Sequence, residues 1–403
     1  MEVWTRMMIK LFIFIIVLSL SGMTIQDSYS ATPELFSKIP SVITNSILSQ
    51  DFTSNPKHVH QSELVNTDIS ALNSEQITVK IFDDVLTISK DRVTSRDTND
   101  YTWFGSGDGI NTVLVVSGAE ITGSIETSNN TYRIDATNYS SVHILQDIDI
   151  SKIAPEYGYA DGEDEYENMA QTTSLTQTQR NLISQLEDVY DSDFDYRGEK
   201  VIIDVYVVYT EAADNAPSDV YRSITSQARL AIEKANDSYN DNHLPLELNL
   251  VDTAKVRNYV EVDMDTDRNN LLDSSNSFFA RTHAEAEELD ADVVILFTLN
   301  NDEDEFICGY AGDLLSDDSS TSMAVVKSTC VAGHSFTHEI GHLQGARHEY
   351  TRDSTITPFV YGHGWIDTEI KKRTIMAYDC DNDPNVDACP RQGIWSDPYD
   401  SFI

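Results

Sequence analysis

Residues 338–348 read His-Glu-Ile-Gly-His-Leu-Gln-Gly-Ala-Arg-His, an order that few chain geometries satisfy. Histidines four apart share one face of a helix, so His338 and His342 present two imidazoles to a single point. A straight continuation would swing His348 away from that point. Gly345 resolves this, because glycine takes a positive φ, ends the helix and turns the chain back. Three neutral imidazoles at the ~2.0–2.1 Å of zinc–nitrogen bonds leave a fourth position for water, the arrangement of a catalytic rather than a structural site. Glu339 follows the first histidine, where its carboxylate can reach that water. The alternative, a histidine-bearing helix that binds nothing, is hard to hold against eleven residues matching every fixed position of the longer pattern.

Downstream, Arg373-Thr-Ile-Met-Ala-Tyr378 follows the third histidine. With these two segments the sequence resembles the metzincin clan. The resemblance implies that Met376 forms the hydrophobic floor of a Met-turn, and that Tyr378 ligates zinc or steadies a tetrahedral intermediate; a buried core tyrosine explains Tyr378 equally well. Within the clan the chain resembles the reprolysin-like secreted metalloproteases of microbes, including peptidyl-Asp metalloendopeptidases. The likeness runs through Trp103-Phe-Gly105, Ile203-Asp-Val-Tyr-Val-Val-Tyr-Thr210, Cys308-Gly309, the histidine motif and Thr374-Ile-Met-Ala-Tyr378. It implies hydrolysis of internal peptide bonds by a zinc-activated water, with one Zn2+ on His338, His342 and His348 and with Glu339 as general base. It also implies a removable N-terminal propeptide and a substrate extended along the sheet edge near Ser322 to Lys327. Glu349 departs from the family in standing where relatives commonly carry Asp. The prodomain has no cysteine to cap the metal, so latency would come from the prodomain lying over the cleft. Asp108 only loosely matches the aspartate latch of astacins in spacing and reads as a turn residue. The chain stops at Ile403, where relatives continue into a C-terminal helix.

The remaining sequence fits this frame. Arg6 and Lys10 precede the apolar run Leu11 to Leu18 and small residues to Ala31, the order of a signal peptide and too short to span a bilayer. Short alternating runs at 77–82, 112–116, 121–125 and 141–145 predict a small β-rich domain over 31–155. An acidic and then Gln/Thr-rich linker follows over 156–198. From 199 to 403 the expectation is an α/β metzincin catalytic domain, a twisted mixed sheet with an active-site helix. Its elements are strands at 201–209, 246–251, 291–297 and 322–327 and helices at 219–239 and 271–289. Val220, Ile224, Ala228, Ala231, Ile232 and Ala235 make the buried stripe of the first helix. Four cysteines predict two disulfides, assigned by locality as Cys308–Cys330 and Cys380–Cys389. His363 reads as a loop residue rather than a fourth ligand. Asn129, Asn138 and Asn236 begin glycosylation triplets.

Lys and Arg number 27 against 67 Asp and Glu, a formal charge of −40, which excludes nucleic acid as a partner. The acidity leaves Ca2+ binding open, without a repeat or EF-hand loop to carry it. Protein or peptide substrates, secretion, no stable membrane insertion after signal cleavage and a monomeric state complete the expectation.

Overall fold

The computed structural model of the protein describes residues 32–39, 59–149, 200–214, 223–299, 307–316, 318–359, 361–378 and 389–396. From Glu34 on the described residues belong to one compact unit. The expected signal segment, linker 156–198, Val220 and Cys380 lie outside the described residues. Among the described residues no helix is long and apolar enough to cross a membrane.

The β-rich region is an antiparallel sheet of nine strands: β1 (Phe36–Lys38), β2 (Val59–Thr67), β3 (Gln76–Ile81), β4 (Asp84–Asp97), β5 (Asp100–Gly107), β6 (Ile110–Ser117), β7 (Glu120–Glu126), β8 (Thr131–Ala136) and β9 (Val142–Ile148), in the order β1-β2-β9-β8-β7-β6-β5-β4-β3. Its ends meet where Glu34 bridges Thr78 and Leu35 N–H donates to Thr78 O at 2.9 Å. The sheet thus rolls around Ile77, Val79, Ile88, Trp103, Leu114 and Leu145. The runs read from the sequence are β3, β6, β7 and β9. Strand β4 escapes a periodicity reading because Ile88 alone of its 14 residues is buried, its pairing being supplied by main-chain hydrogen bonds to neighbours on both sides. Asp108 lies in the turn between β5 and β6.

The second half runs β10 (Val201–Thr210), α1 (Ile224–Asp241), β11 (Leu246–Val256), α2 (Met264–Leu272), α3 (Ala280–Glu288), β12 (Val293–Thr298), β13 (Gly309–Ala311), β14 (Met323–Lys327) and α4 (Ser335–Leu343). Its sheet has the order β11-β10-β12-β14-β13, parallel except for β13, which is the mixed α/β sheet expected. Side chains alternate across it. Val205, Val207, Ile295, Phe297 and Val326 pack with α1 and α4, while Tyr206, Val208, Val294, Leu296 and Val325 pack with α2 and α3.

Two expectations change. The single helix over 271–289 is two helices, because Asp273 and Asn276 turn their side chains onto the N–H groups of Ser275 (2.9 Å) and Phe278 (3.0 Å) and break the run. The segment 322–327 is not an edge: β14 is paired with β12 on one side and with β13 on the other, so β13 is the rim strand. A three-residue strand beginning with glycine carries too little pattern to be read from sequence.

Helix α1 is buried on two sides. The apolar stripe Ile224, Ala228, Ala231, Ile232 and Ala235 is buried as expected, yet 12 of its 18 residues are buried in all. The N-terminal sheet covers the second side with Phe104, Val113 and Val115 and pairs its charges. Arg229 meets Asp100 (2.9 Å), Glu233 meets Arg96 (3.1 Å) and Thr102 (3.0 Å), and Asp237 meets Arg92 (2.7 Å) and Asn111 (3.1 Å). Lys234 is bonded to Glu126 and to Ser124. Asn236 bridges α1 to β11 through both the N–H and the C=O of Leu248, which ties up this glycosylation candidate.

Burial alone would raise the Glu126 carboxyl, but Lys234 and His334 outweigh it and hold the group down at about 2. A depressed carboxyl stabilises the folded state above its unfolded value and loses that contribution as pH falls toward the folded value. The attachment of the N-terminal sheet to α1 should therefore weaken between about pH 4.5 and 2, by something on the order of 3 kcal/mol. Glu126→Gln should flatten that part of the stability profile, measured as denaturant midpoint against pH.

Candidate metal centre

Helix α4 carries His338, Glu339 and His342, all fully buried. It ends as the sequence predicts. Gly345 N–H donates to His342 O and Ala346 N–H to Gly341 O, both at 2.8 Å, with Gly345 at φ +94°; this is the Schellman termination that a glycine permits. The chain turns back and brings His348, 2 % exposed, onto the same point.

The Nε2 atom of His348 lies 3.2 Å from that of His338 and 3.1 Å from that of His342. Metal–nitrogen bonds of ~2.0–2.1 Å at tetrahedral angles separate ligand nitrogens by about 3.3 Å, so these spacings suit one ion. The donor chemistry agrees. His338 Nδ1 faces Ile375 O at 2.9 Å and His342 Nδ1 faces Ala346 O at 2.8 Å. A carbonyl can only accept, so both protons sit on Nδ1 and the Nε2 lone pairs point inward. Lone pairs converging at this range repel unless a cation lies among them. These three histidines are the cluster among the described residues able to hold a metal ion.

The supports are local. A Cβ on Gly341 would come within 2.4 Å of Met376 Sδ, so glycine lets the methionine sit directly against the helix. Met376 is 2 % exposed, in the floor position expected. Arg373 fixes the turn by donating to Cys389 O (2.9 Å) and Ala377 O (2.8 Å). The Tyr378 ring centre lies 4.2 Å from that of His348. Its N–H donates to Glu349 Oε2 at 2.9 Å, which gives Glu349 a tethering role between the third histidine and the turn. Burial pushes the Glu349 carboxyl up, and the Tyr378 N–H opposes this. His363 is no fourth ligand, since its ring nitrogens face His348 O (2.7 Å) and Thr355 O (2.9 Å).

Gly309, on rim strand β13, has a role that the sequence alone does not reveal. A Cβ there would come within 2.3 Å of Glu339 Oε1, so the glycine is what gives the carboxylate room beneath the rim. Cys308 beside it is bonded to Cys330, as expected, in the turn leading to α4. Cys389 is also disulfide-bonded, and its expected partner lies outside the described residues.

A helix bearing two histidines, a glycine turn returning a third and a methionine floor define a metzincin-type metal site. The sequence profile described as metallo-peptidase family M12 matches residues 199–389. Peptidyl-Asp metalloendopeptidases of Stenotrophomonas maltophilia are 32% identical over 295 residues (strain K279a; 72% of this chain, 63% of the relative) and 31% identical over 317 residues (strain R551-3; 77% and 68%). That of Xanthomonas campestris pv. campestris is 30% identical over 292 residues, covering 72% of this chain and 63% of the relative. The chain belongs to metallopeptidase family M12, and it spans about two-thirds of the length of these relatives.

Gly345→Ala would require a side chain at φ +94° with its Cβ 2.9 Å from Phe359. It should weaken metal binding at least about tenfold, the effect of misplacing one of three ligands. Competition with a chromogenic chelator measures this, and His342→Ala in the same assay should retain no metal.

Proposed function

We propose that this protein is a secreted zinc-dependent endopeptidase made as a latent precursor. The observation that carries this reading is the convergence of three imidazole Nε2 atoms beside a fully buried glutamate. A zinc ion held by His338, His342 and His348 supplies Lewis acidity toward a peptide carbonyl and a water. Glu339 takes the proton of the attacking water and hands it to the departing amine nitrogen. Its burial keeps bulk water from competing for that proton. The Tyr378 hydroxyl steadies the oxyanion that develops at the carbonyl. An extended peptide adds to the free edge of β13, where main-chain hydrogen bonds fix its register. The relatives' name carries over as an aspartyl residue beside the cleaved bond.

The N-terminal sheet is read as a propeptide, removed by cleavage between Glu156 and Glu199 after export directed by residues 1–30. Its docking on α1 and on Thr329 O through Arg133 (3.1 Å) supports a role in holding the lead-in to α4 during folding. N-terminal sequencing of secreted, active protein should begin within that window.

Cleavage of a denatured protein substrate should stop with a zinc chelator and return on adding Zn2+; undiminished cleavage in metal-free protein would overturn the reading. Glu339→Gln should keep its metal and lose about 10²- to 10⁴-fold in turnover. Gly309→Ala should also keep metal while losing about tenfold or more, because its methyl displaces the base.

A further inference from the structure

Strands β7 and β8 pair from Gly123 with Ile134 to Glu126 with Thr131, and β8 then runs on beside β9 to Ala136. Ile121 lies outside that ladder, and His143 of β9 serves its main chain instead. The Nε2 of His143 accepts from Ile121 N–H at 2.8 Å, while its Nδ1 stands 2.8 Å from Thr67 Oγ1 at the end of β2. The residue is 1 % exposed. A main-chain N–H can only donate, so Nε2 is the bare nitrogen and the proton sits on Nδ1, donated to Thr67. Thr67 is fixed in turn by its own N–H on Ser141 O at 2.9 Å. A second proton, on Nε2, would set N–H against N–H. The charged residues of the strands packed around the ring are Glu63 on β2, Glu120 and Glu126 on β7, Arg133 and Asp135 on β8, and Asp147 on β9. Among the described residues none of them bonds to it: Asp135 pairs with Arg133 (2.5 Å), Asp147 with His60 (3.2 Å) and Glu126 with Lys234. Burial therefore pushes the imidazole down to about 4, against a smaller opposing pull from the Ser141 main chain.

We propose that His143 is an acid-sensitive lock on the N-terminal sheet, closed while the imidazole is neutral and opened when Nε2 takes a proton. The lock belongs to the sheet alone and does not depend on the endopeptidase reading above. Its place on β7 gives it leverage, because Ser124 and Glu126, which bind Lys234 of α1, follow Ile121 on the same strand. An imidazole held below its ordinary value of 6.5 makes the opened sheet the first to bind the proton. The stabilisation is complete above about pH 6.5, falls as the pH drops and is gone near 4. Glu126 keeps its charge down to about pH 2. The charge pairs with α1 thus persist while the strand that carries Glu126 is released from β9. Under the propeptide reading, mild acid loosens the sheet at its anchor strand before the anchor itself titrates.

Hydrogen exchange of the full-length, zinc-loaded protein tests this, read as protection of residues 121–126 after correction for the intrinsic pH dependence of exchange. Protection in the parent should fall about 20-fold from pH 7 to 5, the factor by which one proton favours the opened sheet over that interval. His143→Gln, whose amide oxygen can still accept from Ile121 N–H but cannot titrate, should lose no more than about threefold. His143→Asn, which keeps a donor toward Thr67 and is equally silent to pH, replaces it if the glutamine variant does not fold. Protection in the parent that stays constant within about threefold across the interval overturns the lock, whichever variants fold. An equal fall in the parent and in a folded His143→Gln or His143→Asn also overturns it, since the acid response would then belong to other groups. The readout is exchange and not cleavage, so loss of the endopeptidase reading would leave this result standing.

Discussion

The Nε2 atom of His348 is held 3.1–3.2 Å from the Nε2 atoms of His342 and His338, in a site where each histidine is at most 2 % exposed, and the segments packed around the rings maintain that arrangement. Unscreened by water, converging lone pairs push the rings apart, and only a cation among them reverses the sign. The rings resist because each is fixed from outside. Main-chain carbonyls of Ile375 and Ala346 set two tautomers, Tyr378 lies along the third ring, and Met376 lies against the helix through the gap at Gly341. Those carbonyls belong to the Met-turn and to the turn at Gly345. The metal geometry therefore depends on two loops that meet only in the folded chain.

The same dependence explains how the N-terminal sheet is attached. Helix α1 backs α4, and its outer face carries Arg229, Glu233, Lys234 and Asp237, each paired with the sheet. An interface built from charge pairs around a small apolar patch can be separated at lower cost than a purely apolar one, because the exposed charges regain water. Removing a single partner while the sheet stays docked is a different matter, since it leaves the other charge buried and unpaired. The contact at His334, which stands at the N-terminus of α4 with its Nε2 3.2 Å from Glu126, extends this attachment to the element that carries the metal ligands.

The site was legible in the sequence because its chemistry is local. His338, Glu339, His342, Gly345 and His348 lie within one helix and one turn, and Met376 keeps a fixed place after them. Part of the β-rich fold was legible for a related reason, since the short runs at 77–82, 112–116, 121–125 and 141–145 and the β-branched run at 201–209 announce strands without knowledge of partners. What could not be read depends on contacts between distant segments. The polar face of α1 looks like a solvated surface until Arg92, Arg96, Asp100 and Glu126 are brought to it. Glu349 reads as an ordinary substitution until Tyr378 N–H is found against it. The break in the 271–289 region lies between these extremes: Asp273 and Asn276 announce a turn, but Leu271 and Leu272 before it and the alanines and glutamates over 280–288 favour a continuous helix.

Rim strand β13 shows how a weak sequence signal can mark a strong constraint. Its three residues have no periodicity, yet Gly309 is where the substrate-binding edge proposed above and the proposed base meet. Any side chain at 309 would occupy the space of the Glu339 carboxylate, so the edge can approach the helix only at glycine. Strand β13 is anchored on one side by pairing to β14 and at its start by the bond from Cys308 to Cys330. Cys330 belongs to the turn Ser328–Gly333 that delivers the chain into α4. A displacement of the rim is thereby transmitted to the start of the helix that carries Glu339, and the separation of edge from base is held by one covalent link and one missing Cβ. The two proposed functions of the cleft, fixing a peptide backbone and moving a proton, are for this reason mechanically a single unit.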